Sequence, residues 1–347
     1  MDKLNVALIC NGYGRVERGA ERYTAELYNH LIDVFDIDIY GISETDHSFG
    51  TNTKFRGDIK LPWRNGCAYL EAYYFGKYWY KNCQKKYDVV LNNASILGSY
   101  WCNKYRKRTG TPFIALERGG GREEKLNNLF KPNCMVYLTE TSINKYGKEG
   151  INNAVIPIGI DLKTYSKKLP ALDILKDLER PLILSTSAMV GFKRIKLIID
   201  AVKKLGKGTL IQTSSGNMKD EICRYGKEKL GDRFSYLGVV PIKTLIALYQ
   251  QCDVFTSASK HEAFGIVYIE AMASGLPVVT QYDSRREEII GNAGRLVSDC
   301  EYTIDFASSL WIATKTDWKK LPQRQAKKFS WDVLKPKYMK VIDGVKL

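Results

Sequence analysis

The chain is 347 residues long and carries 53 Lys plus Arg against 38 Asp plus Glu, a formal charge of +15 at pH 7. With 44% apolar residues it is neither disordered nor collagen-like, and its length suits two domains of about 100–200 residues each. No run approaches the ~18 consecutive apolar residues of a membrane helix, and Met1-Asp2-Lys3 enters an apolar stretch without the profile of a signal peptide, so the expected location is cytoplasmic. Eight scattered cysteines with no Cys-x-x-Cys pair and no histidine cluster read as reduced, mostly buried thiols and offer no zinc site.

In chain order, Leu4–Cys10 is an apolar run too short for a helix, followed by the glycine-punctuated loop Asn11–Gly19 and a helical pattern over Ala20–Asp33. Strands are predicted next at Asp36–Ile42, Asp88–Asn92, Pro112–Leu116, Cys134–Leu138 and Ala154–Pro157, with helical patterns between most of them. The alternation lapses from about Ile160 to Arg180. It restarts with predicted strands at Leu182–Thr186, Thr209–Thr213, Phe234–Leu237, Asp253–Ser257 and Pro277–Thr280. The predicted fold class is α/β, two tandem Rossmann-like doubly wound domains with a cleft between them. The N-terminal domain is expected over 1–165, the C-terminal domain over 166–320, and a basic, aromatic helical segment over 321–347.

Open parallel sheets bind ligands beyond the C-terminal ends of their strands, where helix N-termini present unpaired N–H groups. The segment Ser257–Val279 has that form: a strand end, a polar loop with His261 and Glu262, a helix starting near Phe264-Gly265, a stop at Gly275, and Pro277 opening the next strand. Glu270 sits among Ile266, Val267, Ile269, Ala271, Met272 and Ala273, so a buried carboxyl group is expected there. It needs a partner, either a ligand's hydroxyls or an internal salt bridge. Glu262 by itself reads as an exposed loop acid. Lys193 and Arg194 follow the Leu182–Thr186 strand; alone, each reads as a surface charge. Gly12 and Gly14 permit close approach of a ligand to the opening loop, although Glu17 breaks the dinucleotide fingerprint. Gly119-Gly120-Gly121, after Glu117 and Arg118, suggests backbone pressed against a ligand.

Framed as E-A-F-G-I-V-Y-I-E-A-M-A-S-G-L-P-V-V, Glu262 and Glu270 resemble the E-x7-E signature of family-4 glycosyltransferases with the GT-B fold. Ile156–Asp161 resembles that family's IPNGVD segment, Phe329-Ser330-Trp331 its C-terminal FSW, Gly19–Arg22 its first helix start, and Asp283–Ile290 with Gly294–Val297 the stretch after the signature. These motifs occur in the family's order over almost the whole chain. The resemblance implies a retaining, metal-independent enzyme that moves a sugar from a nucleotide diphosphate sugar, UDP- or GDP-linked, to a glycan, lipid-linked or other hydroxyl acceptor, with no resident cofactor. It implies that Glu262 approaches the transferred sugar and Glu270 holds the donor ribose. The N–H groups of Phe264, Gly265 and Ile266, with Lys193, would meet the diphosphate; Arg194 stands beside them, and the loop of Gly12 and Gly14 faces donor and acceptor. The resemblance also implies that the final segment returns to the first domain. Two departures stand out: Ala188 where the family usually has arginine, and Glu117-Arg118 where many relatives carry a histidine. A GT-B nucleotide-sugar epimerase, or a non-catalytic basic protein binding glycan or membrane, are the alternatives.

Asp36-Ile37-Asp38 has the DxD form of metal-dependent transferases, but it lies in an alternating strand pattern with both acids expected to face solvent. The basic surplus is regional. Residues 51–108 hold 12 basic and three acidic side chains, and residues 315–347 hold 10 and three. Tyr69–Lys86 reads either as a core helix or as a helix lying in a membrane interface. No nucleic-acid-binding module is recognisable, so the expected partners are a nucleotide-sugar donor, a glycan or lipid-linked acceptor, and peripherally an anionic membrane.

Overall fold

The structure, a computed structural model, describes residues 3–13, 19–41, 68–119 and 121–345, and for residues 68–71, 122 and 123 the backbone alone. It divides into unit 1, Met1–Gly159 with Trp331–Leu347, and unit 2, Ile160–Ser330. Unit 1 alternates β1 (Asn5–Ile9), α1 (Gly19–Leu31), β2 (Asp36–Tyr40), α2 (Ala68–Asn82), β3 (Val89–Asn92), α3 (Ile96–Thr109), β4 (Phe113–Leu116), α4 (Arg122–Asn127), β5 (Cys134–Tyr137), α5 (Glu140–Tyr146) and β6 (Asn152–Val155). Its strands pair in parallel in the order β2-β1-β3-β4-β5-β6. Because helices cover both faces, β3, β4 and β5 are buried at every position and read as continuous apolar runs. Phe75, Trp79, Tyr105, Phe113 and Met135 lie in its core.

Unit 2 begins with α6 (Leu162–Ser166) and continues through β7 (Leu182–Ser185), α7 (Ile195–Leu205), β8 (Thr209–Thr213), α8 (Lys219–Leu230), β9 (Phe234–Gly238), α9 (Ile242–Gln251) and β10 (Val254–Ser257). Then come α10 (Ile266–Ala273), β11 (Val278–Gln281), α11 (Ser284–Ile290), β12 (Gly294–Val297), α12 (Thr303–Lys315) and α13 (Leu321–Ala326). This sheet is also parallel, in the order β12-β11-β10-β7-β8-β9. A final helix, α14 (Trp331–Gly344), belongs to unit 1.

Each predicted strand is present; β12 is an addition. It escapes a search for apolar runs because it is short, half-buried over Gly294–Leu296, and contains Arg295. Pairing also starts earlier than expected at β6, where Asn152 and Asn153 already face Cys134 and Met135. The segment expected as one helical stretch over 321–347 is broken at Ser330, whose backbone is extended between the 3₁₀ turn Lys327–Phe329 and α14.

Two of the resemblance motifs meet at this break. Within unit 2 the Ile160 N–H donates to the Phe329 carbonyl at 2.9 Å, and Ile160 and Ser330 form a parallel bridge. Within unit 1 the Trp331 ring lies so close to Gly159 that a Cβ there would clash with it, while its Nε1–H donates to Glu26 Oε2 at 2.8 Å. The DxD pair is not two solvent-facing acids. Asp38 is buried and accepts from Lys85 Nζ at 2.9 Å and Tyr87 Oη at 2.7 Å, since β2 is covered on both faces at that position. Among the described residues no helix is long and apolar enough to cross a membrane.

Candidate functional site

In unit 2 the strand order reverses between β7 and β10, so the loops after those two strands diverge around one crevice, the usual ligand position in an open parallel sheet. The β7 loop ends in a 3₁₀ turn at Gly191–Lys193, and the β10 loop carries Glu262. Across the crevice Lys193 Nζ donates to Glu262 Oε2 at 2.6 Å, and both side chains are mostly buried, 16% and 18% exposed. Two residues that read singly as surface charges are therefore a partly desolvated ion pair, which a screened surface bridge is not. His261 is exposed beside it.

The β10 loop is held in place by two guanidinium groups. Arg194, in a left-handed backbone conformation (φ 49°), starts α7. Expected beside a diphosphate, it turns its guanidinium to the Ala258 carbonyl (Nε, 2.8 Å), Gln281 Oε1 and Glu301 (3.2 Å). Arg286 on α11 is 2% exposed and donates to the Ser259 carbonyl at 2.6 Å and the Gln281 carbonyl at 3.3 Å, with Asp283 at 2.8 Å as its counter-ion. Between these two anchors the Lys260 N–H donates to the Phe192 carbonyl at 2.9 Å, tying the two loops together. Sequence reasoning missed Arg286. Its signal was an arginine three residues after an N-capping Asp283 in an otherwise amphipathic turn, which is ordinary helix-surface chemistry.

Gly265 turns the loop into α10 with φ 81°, and a Cβ there would clash with the Tyr268 ring, so conformation and space both require glycine. α10 starts right after the loop that carries Glu262, and the first turn of any helix presents unpaired N–H groups, an anion-attracting end. The Phe264 side chain is buried edge-to-face against Phe329, centroids 6.0 Å apart, which seats the helix start on the FSW segment; Ile266 is half-buried. Glu270, one turn further on, is 1% exposed. Two phenols reach it: Tyr165 Oη donates to Oε1 and Tyr249 Oη to Oε2, each at 3.0 Å. Burial, with Glu270 adding to it, pushes the Tyr249 phenol well above its ordinary range, so it stays a donor. Tyr165 is delivered by α6, which Asp161 caps by accepting from the Lys163 N–H at 3.0 Å. The Ile156–Asp161 motif thus reaches Glu270 through the helix it starts.

The remaining predicted residues belong to unit 1. Gly12 is buried in the turn that closes on Cys10, and Gly14 lies outside the described residues. Glu117, buried, accepts from the Leu138 N–H (2.6 Å) and Ser142 Oγ (2.7 Å), bracing β4 against the start of α5. Glu124 on α4 accepts the Arg118 and Gly119 N–H groups, both at 3.2 Å. Space is open above Gly119 and Gly121, where an added Cβ would meet nothing. Among the described residues no three His, Cys, Asp or Glu side chains gather as metal ligands.

Residues 173–325 match the family described as Glycosyl transferases group 1. O-antigen chain mannosyltransferase B of Escherichia coli is 33% identical over 101 residues, 28% of this chain and 26% of that protein. An uncharacterized glycosyltransferase of Methanocaldococcus jannaschii is 30% identical over 165 residues, 45% of this chain and 41% of that protein. Alpha-monoglucosyldiacylglycerol synthase of Streptococcus pneumoniae is 26% identical over 145 residues, 38% of this chain and 33% of that protein. The chain thus spans less than half the length of each of these relatives. Among solved structures, sucrose-phosphate synthase from Thermosynechococcus elongatus superposes with TM-score 0.76 at 16% identity, covering 99% of each chain. Anabaena HepE in complex with UDP gives 0.75 at 15% identity, covering 98% of this chain and 100% of that one. This likeness shows the fold, two Rossmann-like α/β domains of the GT-B kind.

Arg286→Met removes the donor to the buried Ser259 carbonyl, and unfolding stability should fall by about 1–3 kcal/mol. Hydrogen exchange over 258–265 should accelerate at the same time; unchanged exchange there would mean that the loop holds itself.

Proposed function

We propose that the chain is a glycosyltransferase that uses a nucleotide diphosphate sugar, UDP- or GDP-linked, and transfers the sugar with retention and without a metal to a hydroxyl of a glycan or lipid-linked acceptor. The observation that carries this reading is the convergence of Lys193, Glu262, the start of α10 and Glu270 at one switch point. Support comes from the glycosyltransferase family match over 173–325 and from the HepE structures, one in complex with UDP and one with UDP-glucose.

In this reading the α10 N–H groups and Lys193 take the diphosphate. As the bond from the anomeric carbon to the phosphate oxygen breaks, its electron pair stays on that oxygen, and Lys193 stabilises the charge there. The acceptor oxygen bonds to the anomeric carbon on the face the leaving group departs from, and its proton passes to the departing phosphate oxygen. Donor binding must part Lys193 from Glu262, freeing the carboxylate for the sugar. Glu270 holds the ribose hydroxyls, while Tyr165 and Tyr249 fix its plane; each carboxylate oxygen can accept more than one hydrogen bond. Arg194 and Arg286 are positioning residues that set the loop.

The basic surplus serves a membrane-borne acceptor. On α2, Phe75 and Trp79 are core residues, whereas Tyr74 and Tyr78, 40% and 36% exposed, share a stripe with Lys77 and Lys81. That stripe presents aromatic rings and ammonium groups together, which suits the headgroup layer of an anionic leaflet at the cytoplasmic side.

UDP or GDP should raise the melting midpoint, with Glu270→Gln weakening that nucleotide's affinity about tenfold. Glu262→Gln and Lys193→Met should cut turnover of the matching nucleotide sugar by about 10²-fold or more with the fold intact. No stabilisation by either nucleotide, or normal turnover in all three variants, would contradict the assignment. Binding to phosphatidylglycerol vesicles should fall on raising salt and in a Lys77→Glu/Lys81→Glu variant; equal binding to neutral vesicles would contradict the membrane contact.

A further inference from the structure

Between α6 and β7 the chain passes the C-terminal end of α9, turning once as a 3₁₀ helix at Asp173–Leu175. Backbone groups in such a strap have no strand neighbour and must find partners elsewhere. Two consecutive glutamines at the end of α9, both half-buried, supply them. Gln250 Nε2 donates to the Tyr165 and Lys167 carbonyls, each at 2.9 Å, while its Oε1 accepts from the Leu169 N–H at 3.1 Å. Gln251 Nε2 donates to the Pro170 carbonyl and its Oε1 accepts from the Leu172 N–H, each at 2.8 Å. A carboxylate could only accept here and an ammonium only donate; an amide does both.

The two glutamines differ in what they hold. α6 is five residues long, too short to keep its shape alone, and the last carbonyls of a helix have no partner within it. Asp161 caps the start of α6, and Gln250 closes its end by binding the carbonyls of Tyr165 and Lys167. Tyr165, 3% exposed, is the residue whose phenol meets Glu270 Oε1. The other phenol, Tyr249, immediately precedes Gln250 in α9. Successive helix residues point about 100° apart, so one turn of α9 sends Tyr249 inward to Glu270 Oε2 and Gln250 outward to the strap. Both phenols on Glu270 are therefore registered to the same helix, one directly and one through the Gln250 amide. Gln251 grips the strap further along, at Pro170 and Leu172, beyond the end of α6.

We propose that Gln250 is a positioning residue for Glu270: by gripping the carbonyl end of α6 it sets the Tyr165 phenol against Oε1, and so fixes the plane in which the carboxylate meets the ribose hydroxyls of a nucleoside diphosphate, an inference that rests on assigning Glu270 to the ribose. The test is calorimetric titration of the full chain with UDP and GDP and with their 2′,3′-dideoxy analogues, whose sugar lacks the hydroxyls that Glu270 would accept from. The wild type should prefer UDP or GDP over its dideoxy analogue. Gln250→Ala should lower that preference about fivefold, Tyr165→Phe should do the same, and the double variant should lower it no further. Gln251→Ala also removes strap contacts and should lower the melting midpoint, but it should keep the wild-type preference. A merely structural strap would lower the midpoint in both glutamine variants and change the preference in neither. If Gln250→Ala does not fold, Gln250→Glu, which keeps an acceptor for the Leu169 N–H and cannot donate to the Tyr165 carbonyl, has the same expected outcome. Unchanged preference in the Gln250 variant, or an equal loss in Gln251→Ala, would overturn the positioning role. Loss of preference in Glu270→Gln without loss in Gln250→Ala would do so while leaving the ribose assignment standing. A wild type that binds each nucleotide no better than its dideoxy analogue would refute that assignment itself, and the positioning role with it.

Discussion

Two guanidinium groups, one buried and one half-buried, hold the loop on which the candidate site depends. Arg194 grips the Ala258 carbonyl and Arg286 the Ser259 carbonyl, from opposite flanking elements, α7 and α11. Carbonyls at the end of β10 have no further strand to pair with, and a loop there would otherwise need water at each one. Fixed guanidinium donors remove that freedom. The loop then enters the left-handed turn at Gly265 that starts α10, and its Glu262 pairs with Lys193.

The second unit solves the buried-acid problem in a way that preserves recognition. A lone carboxyl group at the position of Glu270 would carry a large desolvation penalty, and a salt bridge there would hold its oxygens against a cation. Two phenols, from Tyr165 and Tyr249, satisfy Glu270 with directional bonds. Unit 1 treats its acids differently: Glu117 accepts from the Leu138 N–H and the Ser142 hydroxyl, and Glu124 from the Arg118 and Gly119 N–H groups.

Much of this was legible in the sequence. Apolar runs separated by amphipathic stretches gave the parallel strands and their order along the chain, because strands buried on both faces have no room for polar alternation. The helix of Glu270 was legible for the same reason, being apolar on every side. What the sequence hid were the partners. Tyr165 and Tyr249 lie 105 and 21 residues from Glu270, and neither differs by type from an ordinary core tyrosine. Arg194 read as a surface charge and Arg286 drew no attention, because their main acceptors are backbone carbonyls, which have no sequence signature. Asp38 was read as exposed because its period-2 pattern cannot show that Lys85 and Tyr87 cover it.

The most direct measurement is a crystal structure of the chain with UDP-glucose or the GDP sugar that it binds. The account predicts diphosphate oxygens against the N–H groups that begin α10, Lys193 Nζ turned from Glu262 to the phosphate, and ribose hydroxyls on Glu270 with both phenols still in place. A nucleotide bound elsewhere, with the Lys193–Glu262 pair closed and Glu270 contacting only Tyr165 and Tyr249, would contradict it.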